Sequence, residues 1–271
     1  MEPNRKQGGR ATVIWNLAKL YAGRLLILFG FAAAWWAAVR LGLADKFFIS
    51  TPVDVVNFLV THFGSQIVPN ALNTLLATLI AFVLSGVAGV LAGLFLVEFP
   101  GVKRMVDPFL TALNSMPRIA LAPIFILWFG IELTSKVALA FSLGFFIVLM
   151  STFAGMRNID PVLLRLSRSL GSSPWQQFTK ITLPWAIPSV FAGLKLALIY
   201  SFLGVVTSEM LASKLGLGQL IMYYSGLLRV EAVFAILIVM AVCAVALTMI
   251  ADRIESALLG SWTESVQSAR G

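Results

Sequence analysis

From Val68 to Val97 the chain carries no charged side chain for 30 residues. As a helix this stretch would measure about 45 Å, longer than the roughly 30 Å hydrocarbon layer of a bilayer, so it must tilt or protrude. Other long apolar runs recur at 25–39, 109–131, 137–156, 186–208 and 232–251. A backbone in lipid must satisfy its hydrogen bonds internally, and runs of this length do so as helices. The pattern predicts an all-α, polytopic membrane protein with about six transmembrane helices.

Composition agrees: 59% of the 271 residues are apolar and 12% are charged, about half the charged share of soluble domains. Cys243 and His62 are the only cysteine and histidine, which excludes an internal disulfide and a Cys/His metal cluster. None of the eight lysines follows a glycine, so no P-loop is present. The spans hold no paired carboxylates, which argues against a membrane enzyme and against an ion-coupled secondary carrier. The net charge of +8 reads as an orientation signal, with no nucleic-acid partner expected.

Thirteen Lys and Arg fall on one face (residues 1–24, the 98–108 turn, the 157–184 loop and the tail after 251) and five on the other (Arg40, Lys46, Lys136, Lys214, Arg229). The positive-inside rule then makes both termini cytoplasmic. The resulting division is a cytoplasmic segment 1–24, a transmembrane domain 25–251 and a cytoplasmic tail 252–271. The first apolar run resembles a signal peptide, but it continues through Trp35 and Trp36 and is read as a retained span. Thr51-Pro52 with Val53, Val56, Leu59 and Val60 predicts a short amphipathic helix on the surface.

Ser85, Gly89 and Gly93 lie at i, i+4 and i+8, a small-residue stripe suited to close helix packing. Pro117 and Pro123 interrupt the third span, which predicts a kinked or broken helix facing protein or a watery cavity. Three side chains in or near the spans invite a pathway role. Lys195 either snorkels toward the cytoplasm or lines the pathway; Arg118, with Asn114 and Ser115, either snorkels or lines the broken helix; Glu209 sits near an outer gate or at the wet interface.

The loop 157–184 reads as two short helices. Asp160-Pro161 caps the first, Leu163, Leu166 and Leu170 follow at helical spacing, and Gly171 stops it. Ser173-Pro174 starts the second, with Trp175, Phe178 and Ile181 on one face. Both are too short to be stable alone in water, so the apolar face needs a partner or the rest of the chain.

Gly171, nine residues, Ile181, one residue, Leu183-Pro184 resembles the cytoplasmic-loop motif of permease subunits of bacterial ABC importers. Residues 117–130 (PRIALAPIFILWFG), 192–211 (AGLKLALIYSFLGVVTSEML) and 215–220 (LGLGQL) are similar to the branch that imports sulfonates, taurine and nitrate. The resemblance implies the type I importer permease fold, a homodimer in the bacterial inner membrane, two separate ABC ATPases and a periplasmic or lipid-anchored substrate-binding protein. ATP and Mg would be bound by the ATPases and no cofactor by this chain. The cargo implied is a small, anionic organic solute, or a vitamin or pyrimidine precursor carried by the same mechanism.

By the same resemblance, Leu163, Arg165, Leu166, Ser167, Gly171, Trp175, Phe178, Ile181, Leu183 and Pro184 form the coupling surface that docks on the ATPase. One departure stands out: the motif's Glu-Ala-Ala falls on Arg165, Leu166 and Ser167, so a base replaces the acid and any docking salt bridge is lost or reversed.

Overall fold

A computed structural model describes residues 7–268, with side chains placed without gaps from 29 to 258. Arg5, Lys6 and Arg270, counted above as orientation signals, lie outside the described residues. Helix α1 spans Gln7–Arg40, and α2 (Lys46–Ile49) and α3 (Pro52–His62) lead through a π turn, Phe63–Ile67, into α4 (Val68–Glu98). Then come α5 (Pro100–Ser115), a 3-10 turn Arg118–Leu121, α6 (Ala122–Phe129) and α7 (Leu133–Arg157). Helices α8 (Pro161–Ser169) and α9 (Pro174–Gln177) precede a π turn, Phe178–Thr182, that runs into α10 (Leu183–Leu211). The described chain ends with α11 (Leu217–Gly226) and α12 (Val230–Ser268). Among the described residues, five helical segments are long and apolar enough to cross a membrane, or six when α5 and the 118–129 segment count as one bent span.

Three long helices form the centre, with α7 packed along both α4 and α10. Their interface is built on small residues, since lipid offers no hydrophobic drive for helices to associate and close approach must supply dispersion instead. A Cβ added at Gly89 would come within 2.7 Å of Val148, one at Gly93 within 2.7 Å of Thr152, and one at Gly144 within 2.6 Å of Ser85. The stripe Ser85, Gly89, Gly93 therefore lies against α7.

The third span is bent by 86° between α5 and the 118–129 segment. Met116 is extended before Pro117, as a residue preceding proline prefers, and this ends α5. Two expectations need correction. The charged turn expected over 98–108 narrows to Phe99, because Pro100 at the first position of α5 restarts the helix at once. The short helix expected over 52–60 forms and keeps Val53, Val56 and Val60 exposed, but it does not merely lie on the surface: Val55 and Phe58 are buried against Leu220 and Tyr224 of α11 and Ile236 of α12. This cluster and α2 define a hub end of the bundle; α8 and α9 define the opposite, loop end.

Candidate functional site

At the loop end the backbone is capped much as the spacing suggests. The Asp160 carboxylate accepts the Val162 N–H at 2.8 Å, and Gly171 takes φ +76°, the left-handed conformation that ends α8. Ser173 and Gln176 form a reciprocal capping box at the start of α9. Gln177 then donates to the Leu164 carbonyl (2.9 Å) and to the Ser167 hydroxyl (2.8 Å), tying the two pieces together. The second piece is shorter than expected as a separate helix, because after Gln177 it widens into the π turn and continues straight into α10.

The side chains of this loop face two ways. Ser167 is buried, whereas Leu163, Leu166, Leu170, Trp175 and Leu183 are among the exposed large apolar residues, with Leu170 at 77% and Trp175 at 72%. Trp175 stacks on Phe178 at 5.9 Å. Arg165 is exposed; Ile181 and Pro184 are half-buried where the loop enters the bundle. The backbone is thus ordered from within while its apolar surface remains unpartnered.

Glu209 is fully buried at the hub end and is one centre of a polar network. It accepts from Lys136 Nζ at 3.1 Å, from the Thr74 hydroxyl at 2.9 Å and from the Gly218 N–H at 3.0 Å. Lys136 also donates to Asn73 Oδ1 (2.8 Å) and to the Leu215 carbonyl (2.6 Å), so its three protons have three acceptors. The Gly216 N–H donates to Asn70 Oδ1 and the Leu217 N–H to Thr74 Oγ1. Together α4, α7 and α10 hold the 215–218 loop against the bundle. Gly216 sits at φ +125°, and a Cβ there would overlap the Glu209 carboxylate; both facts require glycine.

Sequence reasoning missed Lys136, Asn70, Asn73, Thr74 and Gly216 as parts of this site. A signal existed: Lys136 opens one span and Glu209 closes the next to run back, so both reach the same end.

Lys195 lies near the middle of α10, about 18 Å from its Leu183 end, and is paired with Asp252 (2.6 Å) and Glu255 (2.7 Å) of α12. Helix α12 continues well past residue 251, where the span was expected to end, and supplies both carboxylates. Glu209 and Lys195 therefore occupy separate networks.

Arg118 takes a third position. It donates to the carbonyls of Ser142 (3.2 Å) and Leu143 (3.3 Å) and to Asn114 Oδ1 (2.5 Å), and its guanidinium lies 4.5 Å from the Phe146 ring centroid. Ser142 is nine residues into α7, about 14 Å from its Leu133 end and so near mid-depth. Ser115 is nearby at the end of α5, exposed, with its hydroxyl donating to the Thr111 carbonyl. Arg118 borders a cleft of about 460 Å³ with Met116, Leu143, Ile147, Leu196 and Tyr200. A larger cavity, about 630 Å³, lies at the hub end, where Lys46 pairs with Asp54 at 3.0 Å and Arg229 with Glu231 at 2.8 Å.

Residues 86–260 match the family described as binding-protein-dependent transport system inner membrane component. The chain belongs to this family. It is the permease subunit of an ABC importer and forms its translocation pathway, and its all-α fold is that of type I importer permeases. A Bacillus subtilis protein named for aliphatic sulfonates transport is 30% identical over 89% of this chain and 86% of its own. The taurine transport system permease protein of Escherichia coli is 30% identical, covering 85% and 86%. The riboflavin transport system permease protein of Chloroflexus aurantiacus is 31% identical, also covering 85% and 86%. Among solved structures, an inward-facing MetNI methionine ABC transporter aligns with TM-score 0.62 at 20% identity, covering 71% of this chain and 95% of that one. A bacterial alginate ABC transporter aligns at 0.58 and 15% identity, covering 94% and 98%.

Proposed function

We propose that this permease imports a small organic anion of the alkanesulfonate class, working as a homodimer with two ATPases and an external substrate-binding protein. The loop 157–184 is the coupling element, and both termini lie in the cytoplasm of a bacterial inner membrane. The observation that carries the coupling role is the loop's internally capped backbone beneath the exposed apolar face of Leu163, Leu166 and Trp175. An exposed aromatic anchor of this kind, once packed against a partner, is a common hot spot of protein interfaces. Closure of the ATPases on ATP would move α8 and α9 as one body, and the unbroken run into α10 would carry that movement to the spans. Arg165, in place of the motif's acid, would seek an acidic partner on the ATPase.

The relatives named for aliphatic sulfonates and taurine support the anionic class. The riboflavin relative, equally similar over as much of the chain, supports a second reading in which the cargo is a neutral vitamin or precursor. Thermal-shift screening of the cognate binding protein against sulfonates, nitrate, pyrimidine precursors and riboflavin separates the two, with stabilisation by a sulfonate expected. For coupling, the subunit should co-elute with its ATPase and lose that association when residues 161–184 are deleted. An intact complex after the deletion would refute the loop assignment.

A further inference from the structure

Of the cations on α4 to α7 and α10 among the described residues, Lys103, Arg104 and Arg157 sit at loop-end helix termini, and the other three, Lys136, Lys195 and Arg118, differ in what neutralises them. Lys136 meets Glu209, and Lys195 meets Asp252 and Glu255. Arg118 is held only by neutral oxygens and an aromatic face. Carbonyls orient a guanidinium but do not cancel its charge, and an ion at this depth is expensive unless it pairs or lines water. Nη1 is taken up by the Ser142 and Leu143 carbonyls and Nη2 by the Asn114 carbonyl and Oδ1, which leaves Nε–H and the uncancelled charge to meet an oxyanion.

The walls beside it are of a different kind. Met116, Leu143, Ile147 and Leu196 are apolar, and Tyr200 adds a ring with a phenolic hydroxyl. A cleft of about 460 Å³ falls within the roughly 300–1,000 Å³ of small-molecule sites. The 630 Å³ cavity lacks this asymmetry, since both of its ion pairs are closed internally.

We propose that this cleft is a cargo subsite in which Arg118 receives the oxyanion of the solute, the Tyr200 hydroxyl donates to it, and Leu143, Ile147 and Leu196 set the apolar tail accepted. The proposal rests on the anionic-cargo reading above and adds a place and a length rule to it. Among the described residues no carboxylate pairs with Arg118, so cargo and cation would neutralise each other while the solute is in transit.

The test uses the complete transporter, permease with ATPase and binding protein, in proteoliposomes. Its probes are linear alkanesulfonates from methane- to octanesulfonate, with riboflavin as the neutral comparator. Arg118→Gln should lower sulfonate import more than about tenfold and Arg118→Lys no more than about fivefold, because lysine keeps the charge but loses the planar guanidinium and its Nε–H donor. Leu196→Phe should shift the preferred chain to a shorter sulfonate. Should Arg118→Gln fail to assemble with the ATPase, Tyr200→Phe carries the test, with import expected to fall about threefold through one lost hydrogen bond. Wild-type import by Arg118→Gln, or equal loss in the Gln and Lys variants, overturns the subsite; equal loss would make Arg118 a brace between α5 and α7. If the unmutated transporter carries riboflavin and no sulfonate, the anionic-cargo reading itself has failed, and the subsite falls with it.

Discussion

The two ends of this bundle invert the usual placement of polar and apolar groups. At the hub end a lysine and a glutamate are buried, each with a full set of partners, and they bind the 215–218 loop to α4, α7 and α10. At the loop end a tryptophan and several leucines stand exposed over a backbone held by Asp160, Ser173 and Gln177. The hub is complete within the chain, which suits a fixed point of the structure. The loop leaves an apolar surface uncovered by its own chain, which suits the proposed role of a part that receives force from outside.

The hub should therefore be intolerant of single changes. Lys136→Met or Glu209→Gln strands a charged or polar group with its partner gone, at a cost of about 3–5 kcal/mol for a buried pair. The unfolding temperature of detergent-solubilised protein should drop sharply for each single variant and recover in part when the two are combined. If the losses simply add, the pair is not coupled and the contrast between the two ends weakens.

The loop should respond in the opposite sense. Trp175→Ala should weaken association with the ATPase by about 2 kcal/mol, the scale of an interface hot spot. The unfolding temperature of the isolated permease should barely move, since that side chain is 72% exposed. Affinity measured by immobilising the permease against titrated ATPase checks the first part. A large thermal destabilisation would mean that Trp175 packs on its own chain, and the end-to-end comparison would lose its basis.

Sequence made the loop legible and left the hub obscure, for a physical reason. The caps, the glycine stop and the apolar face of the loop are local, spanning a few residues each, and the spans announce themselves by length and lack of charge. The break at Pro117 is local too. The hub joins residues 73 and 135 positions apart, and nothing near Lys136 distinguishes it from a solvated charge one residue before an apolar run. Lys195 posed the same difficulty, because its partners lie on a stretch of α12 that reads as tail. The bend angle of 86° and the cleft beside Arg118 depend on how helices cross, which no spacing rule states.

A smaller effect sharpens the loop side. Ser173→Ala removes the hydroxyl that accepts the Gln176 N–H at 3.2 Å and breaks the capping box, at about 1 kcal/mol. The loss should appear as faster hydrogen exchange over residues 173–177 with no change in α10. Weaker ATPase binding of similar size should accompany it, because the docking surface would then have to be ordered on contact. Unchanged exchange would show that Gln177, through Leu164 and Ser167, holds α9 without its cap.

The least energetic test compares two Lys–Glu pairs at the same end. Lys214 and Glu132 approach to 2.7 Å, closer than Lys136 and Glu209 at 3.1 Å, yet both are about two-thirds exposed. Solvent screens such a pair, so Glu132→Gln should leave the unfolding temperature at neutral pH where it was. The pair is visible instead in titration: the hydrogen bond from Lys214, and then its charge, hold the Glu132 carboxyl below its ordinary value of 4.5. What linkage it contributes is present above that ordinary value and fades as pH falls through the depressed one; on the alkaline side it fades as pH rises through the raised value of Lys214. Carbon-13 NMR of the Glu132 carboxyl should show a lowered midpoint that returns toward 4.5 in Lys214→Met. A thermal penalty for Glu132→Gln as large as that for Glu209→Gln would show that burial is not what separates the two pairs.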